Sequence, residues 1–546
     1  MVVFCDMEPS TSEADMSKRH SERPWARWIP AALLAAALAS AAPAGQTNDQ
    51  NGPRQEGQRY EVVINGGRVI DPESGLDAAR NIGIDGGKIV AISGTPLSGL
   101  KSIDARGLVV TPGFIDLHSH AQQFAGARMQ ALDGVTTALE LESGSLPIDA
   151  FYDRITREGR PINFGASTSW IKARQQVMDG AAPSGKFDQK NELPNWGKLA
   201  DARQAQAIYS LVSDGLDAGG LGIGFPLGYA TQTGRKEYYD LNRLAAKRGL
   251  PTFVHYRFQS TEEPDSSFEA AEEVVAVAAA TGAHIHICHI NSSDLRDGHR
   301  IVAMFRAAQA RGVPITVEAY PYSGAASSIG SSIFRGPHWK ERLGNLKISD
   351  LEVGGKPLDQ ATFDRLQRDA PDTIVIAHMT RPGVVPGDQE LIDEAILFPG
   401  GAIASDSVPW SIDGKIIEEN VWPLPAGARS HPRSAGTFSR FLRQYVRERQ
   451  AISLIEAIRK ITLIPAQILQ PATPQMASKG RIRIGADADI DVFDPATITD
   501  KATFVSPAQP STGMHWVLVG GVAVVANGKL IPTALPGRAV RGPITH

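Results

Sequence analysis

His118 and His120 close the run from Thr111 to His120, an apolar stretch broken at Gly113 and resumed at Phe114, Ile115 and Leu117. In extended backbone, residues two apart share a side, so both imidazoles can reach one point in space. Imidazole is the commonest protein ligand for zinc and similar divalent ions. Two surface histidines would show the same spacing; the pair gains weight from what recurs elsewhere. Glu140 and Glu142 end a second apolar run, His255 and His289 end two more, and Asp406 ends another. Imidazoles and carboxylates together make a donor set for a divalent metal. His378 also ends an apolar run, where a pocket residue and a packed structural histidine fit equally well.

The elements that must position these groups alternate along the chain. Apolar runs of strand length fall at 114–117, 136–141, 163–167, 222–225, 252–255, 284–289, 315–319, 374–377 and 403–405, with helical stretches such as 239–248, 268–280 and 300–311 between them. Alternating β and α over this length predicts a parallel sheet, most simply a (β/α)8 TIM barrel. Nine runs compete for eight places, so one of them belongs elsewhere. In such barrels the chemistry lies at the C-terminal ends of the strands, where the histidines and carboxylates fall. Residues 323–372 show no alternation and read as an insertion over the barrel mouth. Short β runs separated by the hairpin signals Gly66-Gly67 and Asp85-Gly86-Gly87 fill 60–112, and the same style returns after 489, with Asn527-Gly528 as a turn. The expected organisation is a barrel at 113–470 flanked by 58–112 and 471–546, the two parts of one small β-sandwich.

The 546 residues are 42% hydrophobic and 21% charged, enough for a barrel with a large buried core and a satellite domain. A net charge of -4 with no basic concentration beyond the N-terminus argues against a nucleic-acid partner. Lys18, Arg19, Arg23 and Arg27 precede an Ala/Leu run at 31–39, and small residues at 39–44 suit a signal peptidase. That run is too short for a permanent membrane anchor. Residues 1–57 therefore read as signal peptide and polar linker, and the protein as exported, periplasmic or secreted. Of the two cysteines, Cys5 falls in the presequence, which leaves Cys288 without a disulfide partner. Beside His289 on an apparent strand, Cys288 should point away from whatever His289 faces, as a buried apolar thiol.

These residues resemble the amidohydrolase superfamily and, within it, the N-acyl-D-amino-acid deacylases (D-aminoacylases). The resemblance covers nearly everything after Tyr60. It is carried by the His-x-His run; Gly134-Val135-Thr136-Thr137; the Gly-rich segment 218–229; His255-Tyr256-Arg257; Ala319-Tyr320-Pro321-Tyr322; Ser405-Asp406; and His431-Pro432-Arg433 followed by Gly436-Thr437-Phe438. Residues 479–495 resemble the returning β segment of the family. The His-x-His opening belongs to the whole superfamily, whereas its combination with Ala-Tyr-Pro-Tyr and His-Pro-Arg marks the deacylase branch. The resemblance implies one or two zinc ions, with His118, His120 and Asp406 on one and His255 and His289 on the other.

Two departures from the family pattern matter. The bridging position after Thr137 is a cysteine in many deacylases; here the chain offers Glu140, Glu142 and Ser143. Glu142 is preferred because it lies nearest the strand end, and Glu140 shares its face. A lysine that often contacts the substrate carboxylate is replaced by Asn291, an amide without charge. Arg257 first and Arg433 second are expected to supply the missing cation, with Tyr229 and Tyr320 as hydroxyl donors.

The implied activity is hydrolysis of the amide bond of small N-acyl-D-amino acids, N-acyl-D-glutamate or similar. Asp406 would carry the proton from water to the leaving amine. Another amidohydrolase activity, on a dipeptide or a cyclic amide, and a non-catalytic binding barrel are the alternatives. Asp406 argues against the last, because binding alone needs no proton carrier.

Overall fold

Eight parallel strands follow one another around a barrel: Phe114–Asp116, Val135–Ser145, Asn163–Ser169, Ile223–Pro226, Thr252–His255, Ile285–Ile287, Ile315–Ala319 and Ala402–Ile403. They belong to a computed structural model that describes residues 59–180 and 194–545, so the expected signal peptide and linker lie outside the described residues. Among the described residues, no helix is long and apolar enough to cross a membrane. The first and last strands meet where the ring closes: the His120 amide donates to the Ser407 carbonyl at 2.9 Å, and the Ser405 amide to Asp116 Oδ1 at 2.9 Å. Gly113 permits the chain to enter the first strand, because a Cβ there would lie 2.2 Å from Thr136 Cγ2.

Strand alternation sorts the side chains. Ile223, Val254, Ile285, Ile287, Ile315 and Val317 pack outward with helix residues such as Val212, Leu241, Val274 and Phe305. Ile115, Leu117, Leu139, Leu141, Phe253 and Cys288 form a separate inner cluster. Helices start where the sequence supplies caps. Ser266 and Glu269 make a reciprocal capping box for Ser267–Thr281, which satisfies two N-terminal amides.

Both chain ends share one nine-stranded sheet, joined where Val109–Pro112 runs antiparallel to Ile490–Phe493. Its core includes Ile64, Val69, Ile82 and Val110 from the N-terminal part and Ile490, Val492 and Leu518 from the C-terminal part. Asn527 and Gly528, at φ 50° and 73°, turn Val522–Ala526 onto Lys529–Leu530.

The surplus ninth run is Ile374–Ala377. It pairs antiparallel with Ala325–Ser328 and Leu351–Val353 in a four-stranded sheet between the seventh and eighth barrel strands. Its four-residue apolar pattern is that of a buried barrel strand, so pattern alone could not separate the two. The insertion sheet thus runs past residue 372, and it carries its own apolar cluster with Phe334, Trp339, Leu351, Phe363 and Val375. His378 follows this strand, 3.2 Å from Glu352 Oε2 and against the Phe504 ring.

Candidate metal centre

Glu142 stands in the middle of a ring of histidines at the C-terminal mouth of the barrel. Its Oε1 lies 3.0 Å from His255 Nδ1 and 3.1 Å from His289 Nε2. Its Oε2 lies 3.3 Å from both His118 Nε2 and His120 Nε2. Asp406 Oδ1 is 3.4 Å from His118 Nε2 and 3.6 Å from His120 Nε2. One carboxylate therefore turns an oxygen to each of two histidine pairs, the layout of a bridging ligand. Glu142 is 3% exposed, so this charge is placed where only close partners can stabilise it.

Glu140 has a different position. Both of its oxygens lie 3.0 Å from His120 Nδ1, behind the ring rather than between the rings. Glu318 does the same for His118, with Oε1 2.5 Å from Nδ1, and Ser293 Oγ lies 2.9 Å from His289 Nδ1. Such partners fix which ring nitrogen faces a metal. Sequence reasoning missed Glu318 and Ser293. The signal for Glu318 was present: a glutamate inside the apolar strand Ile315–Ala319 has no place facing lipophilic neighbours without a partner.

Burial alone would raise the Glu142 carboxyl, but His118 and the other facing histidines hold it well below the ordinary range. Burial would lower His118, yet Asp406, Glu142 and Glu318 push it well above its ordinary value. The same contest, settled by Glu140, pushes His120 up to about 10. The centre thus concentrates negative charge that needs a cation. Donor atoms of His118, His120 and Glu142 lie within 4.8 Å of one another, as do those of Glu142, His255 and His289 and those of His118, His289 and Asp406. This mixed imidazole and carboxylate set fits zinc or a similar divalent ion. His255 turns Nδ1 toward Glu142, and its Nε2 packs against Gly228, where a Cβ would lie 2.6 Å from it.

Three further expectations need correction. Arg257 is fully buried and its guanidinium is spent elsewhere: Nε and Nη2 donate to Glu273 at 2.8 and 2.9 Å, and Nη1 donates to Thr233 and Thr231. It ties the loop after the fifth strand to a neighbouring helix, with its charge paired to Glu273, so it is not the free cation expected for a substrate carboxylate. Asn291 is also engaged within the protein: its Oδ1 accepts from the Tyr320 amide at 3.1 Å and its Nδ2 donates to the Tyr322 carbonyl at 3.4 Å. Cys288 is buried as expected but does not point away from the centre; its Sγ lies within 4.8 Å of donor atoms of His118 and Glu318. Alternation fails here because the strand ends at Ile287 and His289 takes a left-handed φ of 35°.

Arg433 is the cation at the centre. Its Nη2 lies 2.8 Å from Asp406 Oδ2, its Nε donates to the Asp406 carbonyl at 2.5 Å, and its Nη1 is buried without a hydrogen-bond partner. The guanidinium carbon sits 4.6 Å over the Tyr320 ring. Tyr229 stands beside the centre, its ring 5.1 Å from that of His255 and its hydroxyl 3.4 Å from Ser327 Oγ.

The model for the "Amidohydrolase family" matches residues 101–530. The chain belongs to the amidohydrolase family. It is thus a metal-dependent hydrolase of amide bonds. The N-acyl-D-glutamate deacylase of Alcaligenes xylosoxydans xylosoxydans is 28% identical over 519 residues, covering 89% of this chain and 97% of that protein. The N-acyl-D-aspartate deacylase of the same organism is 25% identical over 506 residues, covering 88% and 95%. Among solved structures, N-acyl-D-glutamate deacylase from Bordetella bronchiseptica, complexed with zinc and a phosphonate inhibitor, matches with a TM-score of 0.69 at 24% identity, covering 89% of this chain and 100% of that one. That likeness establishes the shared barrel and flanking-sheet architecture of this amidohydrolase.

The two glutamates can be told apart by experiment. Glu142→Gln should drop bound metal below the wild-type stoichiometry. Glu140→Gln, which keeps an acceptor for His120 Nδ1, should retain full stoichiometry with weaker affinity. Metal analysis of both purified variants decides, and the reverse pattern would exchange their roles.

Proposed function

We propose that this amidohydrolase hydrolyses N-acyl-D-amino acids, with zinc held by His118, His120, Glu142, His255, His289 and Asp406. The observation that carries the reading is Arg433, a buried guanidinium paired with Asp406 whose Nη1 has no hydrogen-bond partner. A substrate carboxylate next to the scissile amide satisfies that group. The deacylase relatives support the substrate class, and D configuration rests on them alone.

A divalent metal, when bound, supplies acidified water and polarises the amide carbonyl. Asp406 takes the proton from the attacking water and hands it to the leaving nitrogen. Arg433 holds Asp406 by its side chain and its own carbonyl, which fixes Oδ1 toward the histidines. Asp406 sits at φ 50°, in the left-handed region that aspartate enters more readily than most non-glycine residues. Tyr320 presents a buried hydroxyl beside Arg433, suited to donate to the bound substrate.

The relatives named for N-acyl-D-glutamate and N-acyl-D-aspartate support an acidic side chain on the substrate.

A panel of N-acyl-D-amino acids, their L forms, dipeptides and hydantoins tests the reading, and preference for a dipeptide or hydantoin would replace it. A charged hydrogen bond to a carboxylate contributes about 1.5 to 3 kcal/mol, or about 10- to 150-fold in kcat/KM. Arg433→Met should therefore lose about that much more on N-acyl-D-amino acids than on the matching primary amides. The loss shared by both substrates reports its support of Asp406. Equal losses on acid and amide would remove Arg433 from carboxylate binding.

A further inference from the structure

One column of the barrel interior is polar. Ile285, Ile287, Ile315 and Val317 pack outward against the helices, so alternation turns His286, Thr316 and Glu318 inward. They form a continuous hydrogen-bonded chain. His284 Nε2 and His286 Nδ1 each lie 2.9 Å from Thr316 Oγ1. His286 Nε2 lies 3.0 Å from Glu318 Oε2, and Glu318 Oε1 lies 2.5 Å from His118 Nδ1. The chain starts at the partly exposed His284, where the sixth strand begins, and ends on a histidine of the metal centre.

Barrel interiors are ordinarily filled by branched apolar side chains. Replacing a whole hydrogen-bonded set by apolar groups of the same shape can be nearly neutral for stability. Folding therefore does not by itself demand this column. Its geometry does serve His118. With Nδ1 held by Glu318, the ring turns Nε2 toward Glu142 and Asp406. Glu318 is in turn held by His286, which is buried and rests edge-on against Phe253 with ring centroids 5.8 Å apart.

We infer that Glu318, fixed by His286, is a positioning residue that locks the tautomer and orientation of His118 for metal binding. The inference rests on the metal-centre reading above. Carboxylates in this position typically contribute 10- to 100-fold to metal affinity.

The test is chelator competition with Zn²⁺ on folded wild-type protein and on Glu318→Leu, Glu318→Gln and His286→Phe. Glu318→Leu should bind Zn²⁺ about 10- to 100-fold more weakly. Glu318→Gln, whose amide oxygen still accepts from Nδ1–H, should recover part of the loss, and His286→Phe should fall between it and the wild type. The Co²⁺-substituted variants should show altered visible absorption. A merely structural column would lower the melting temperature of the variants and leave Zn²⁺ affinity and the Co²⁺ spectrum unchanged, which would overturn the inference. If Glu318→Leu fails to fold, the isosteric Glu318→Gln and His286→Phe decide by the same readouts. A wild-type protein that binds no Zn²⁺ would instead overturn the metal-centre reading and this inference with it.

Discussion

Asp406→Asn should lower kcat by roughly 10²- to 10⁴-fold, the usual contribution of a positioned proton carrier, while KM changes little. Asparagine keeps the shape of aspartate and the backbone carbonyl that accepts from Arg433 Nε, and loses only the charge that pairs with Nη2 at 2.8 Å. It also tolerates the left-handed φ of 50° better than most residues, so the fold should survive. What it lacks is the capacity to take and return a proton. Because Asp406 Oδ1 is 3.4 Å from His118 Nε2, the substitution can also touch the metal, and metal content must be measured on the same preparation. Intact metal with near-normal kcat would remove Asp406 from proton transfer. Lost metal with kcat restored at high Zn²⁺ would make it a ligand only.

The sequence exposed the parts of this molecule that depend on short-range pattern. All eight barrel strands overlap apolar runs that alternate with helical stretches, and their ends carry His118, His120, His255 and His289. What pattern could not settle was direction once a strand has ended. Arg257 lies two residues past His255, which suggests a shared face, but the strand stops at His255 and the side chain turns to Glu273. Cys288 and His289 show the same loss of alternation. Ile374–Ala377 looked like a barrel strand because four apolar β residues read alike in a parallel ring and in an antiparallel insertion. The choice between Glu140 and Glu142 was also beyond sequence, since both lie on one strand and only the position of the His120 ring separates them. Glu318 was legible in the sequence, because a carboxylate in an apolar strand needs a partner.

Removing the metal should abolish turnover, and added Zn²⁺ should restore it. The same experiment has a signature in stability. In the metal-free protein, the buried carboxylates are balanced by protons on His118 and His120, and Glu140 pushes His120 up to about 10. A histidine whose folded pKa is raised above its unfolded value of about 6.5 contributes stability that is fully present below that value. That stability is lost as pH rises toward the folded pKa. The metal-free protein should therefore become less stable between about pH 6.5 and about 10. Bound metal replaces these protons as the balancing charge, so the loaded protein should lose less over the same window. Ligand binding to the folded state stabilises with the logarithm of its affinity, and the affinity should itself rise with pH as competing protons leave. Thermal unfolding of chelated and Zn²⁺-loaded protein at pH 6.5 and pH 9 should thus show a gap that widens at the higher pH. A gap that narrows would mean that His118 and His120 are not the protonated partners of the buried carboxylates. Full turnover in a preparation verified as metal-free would remove the metal from the reaction altogether.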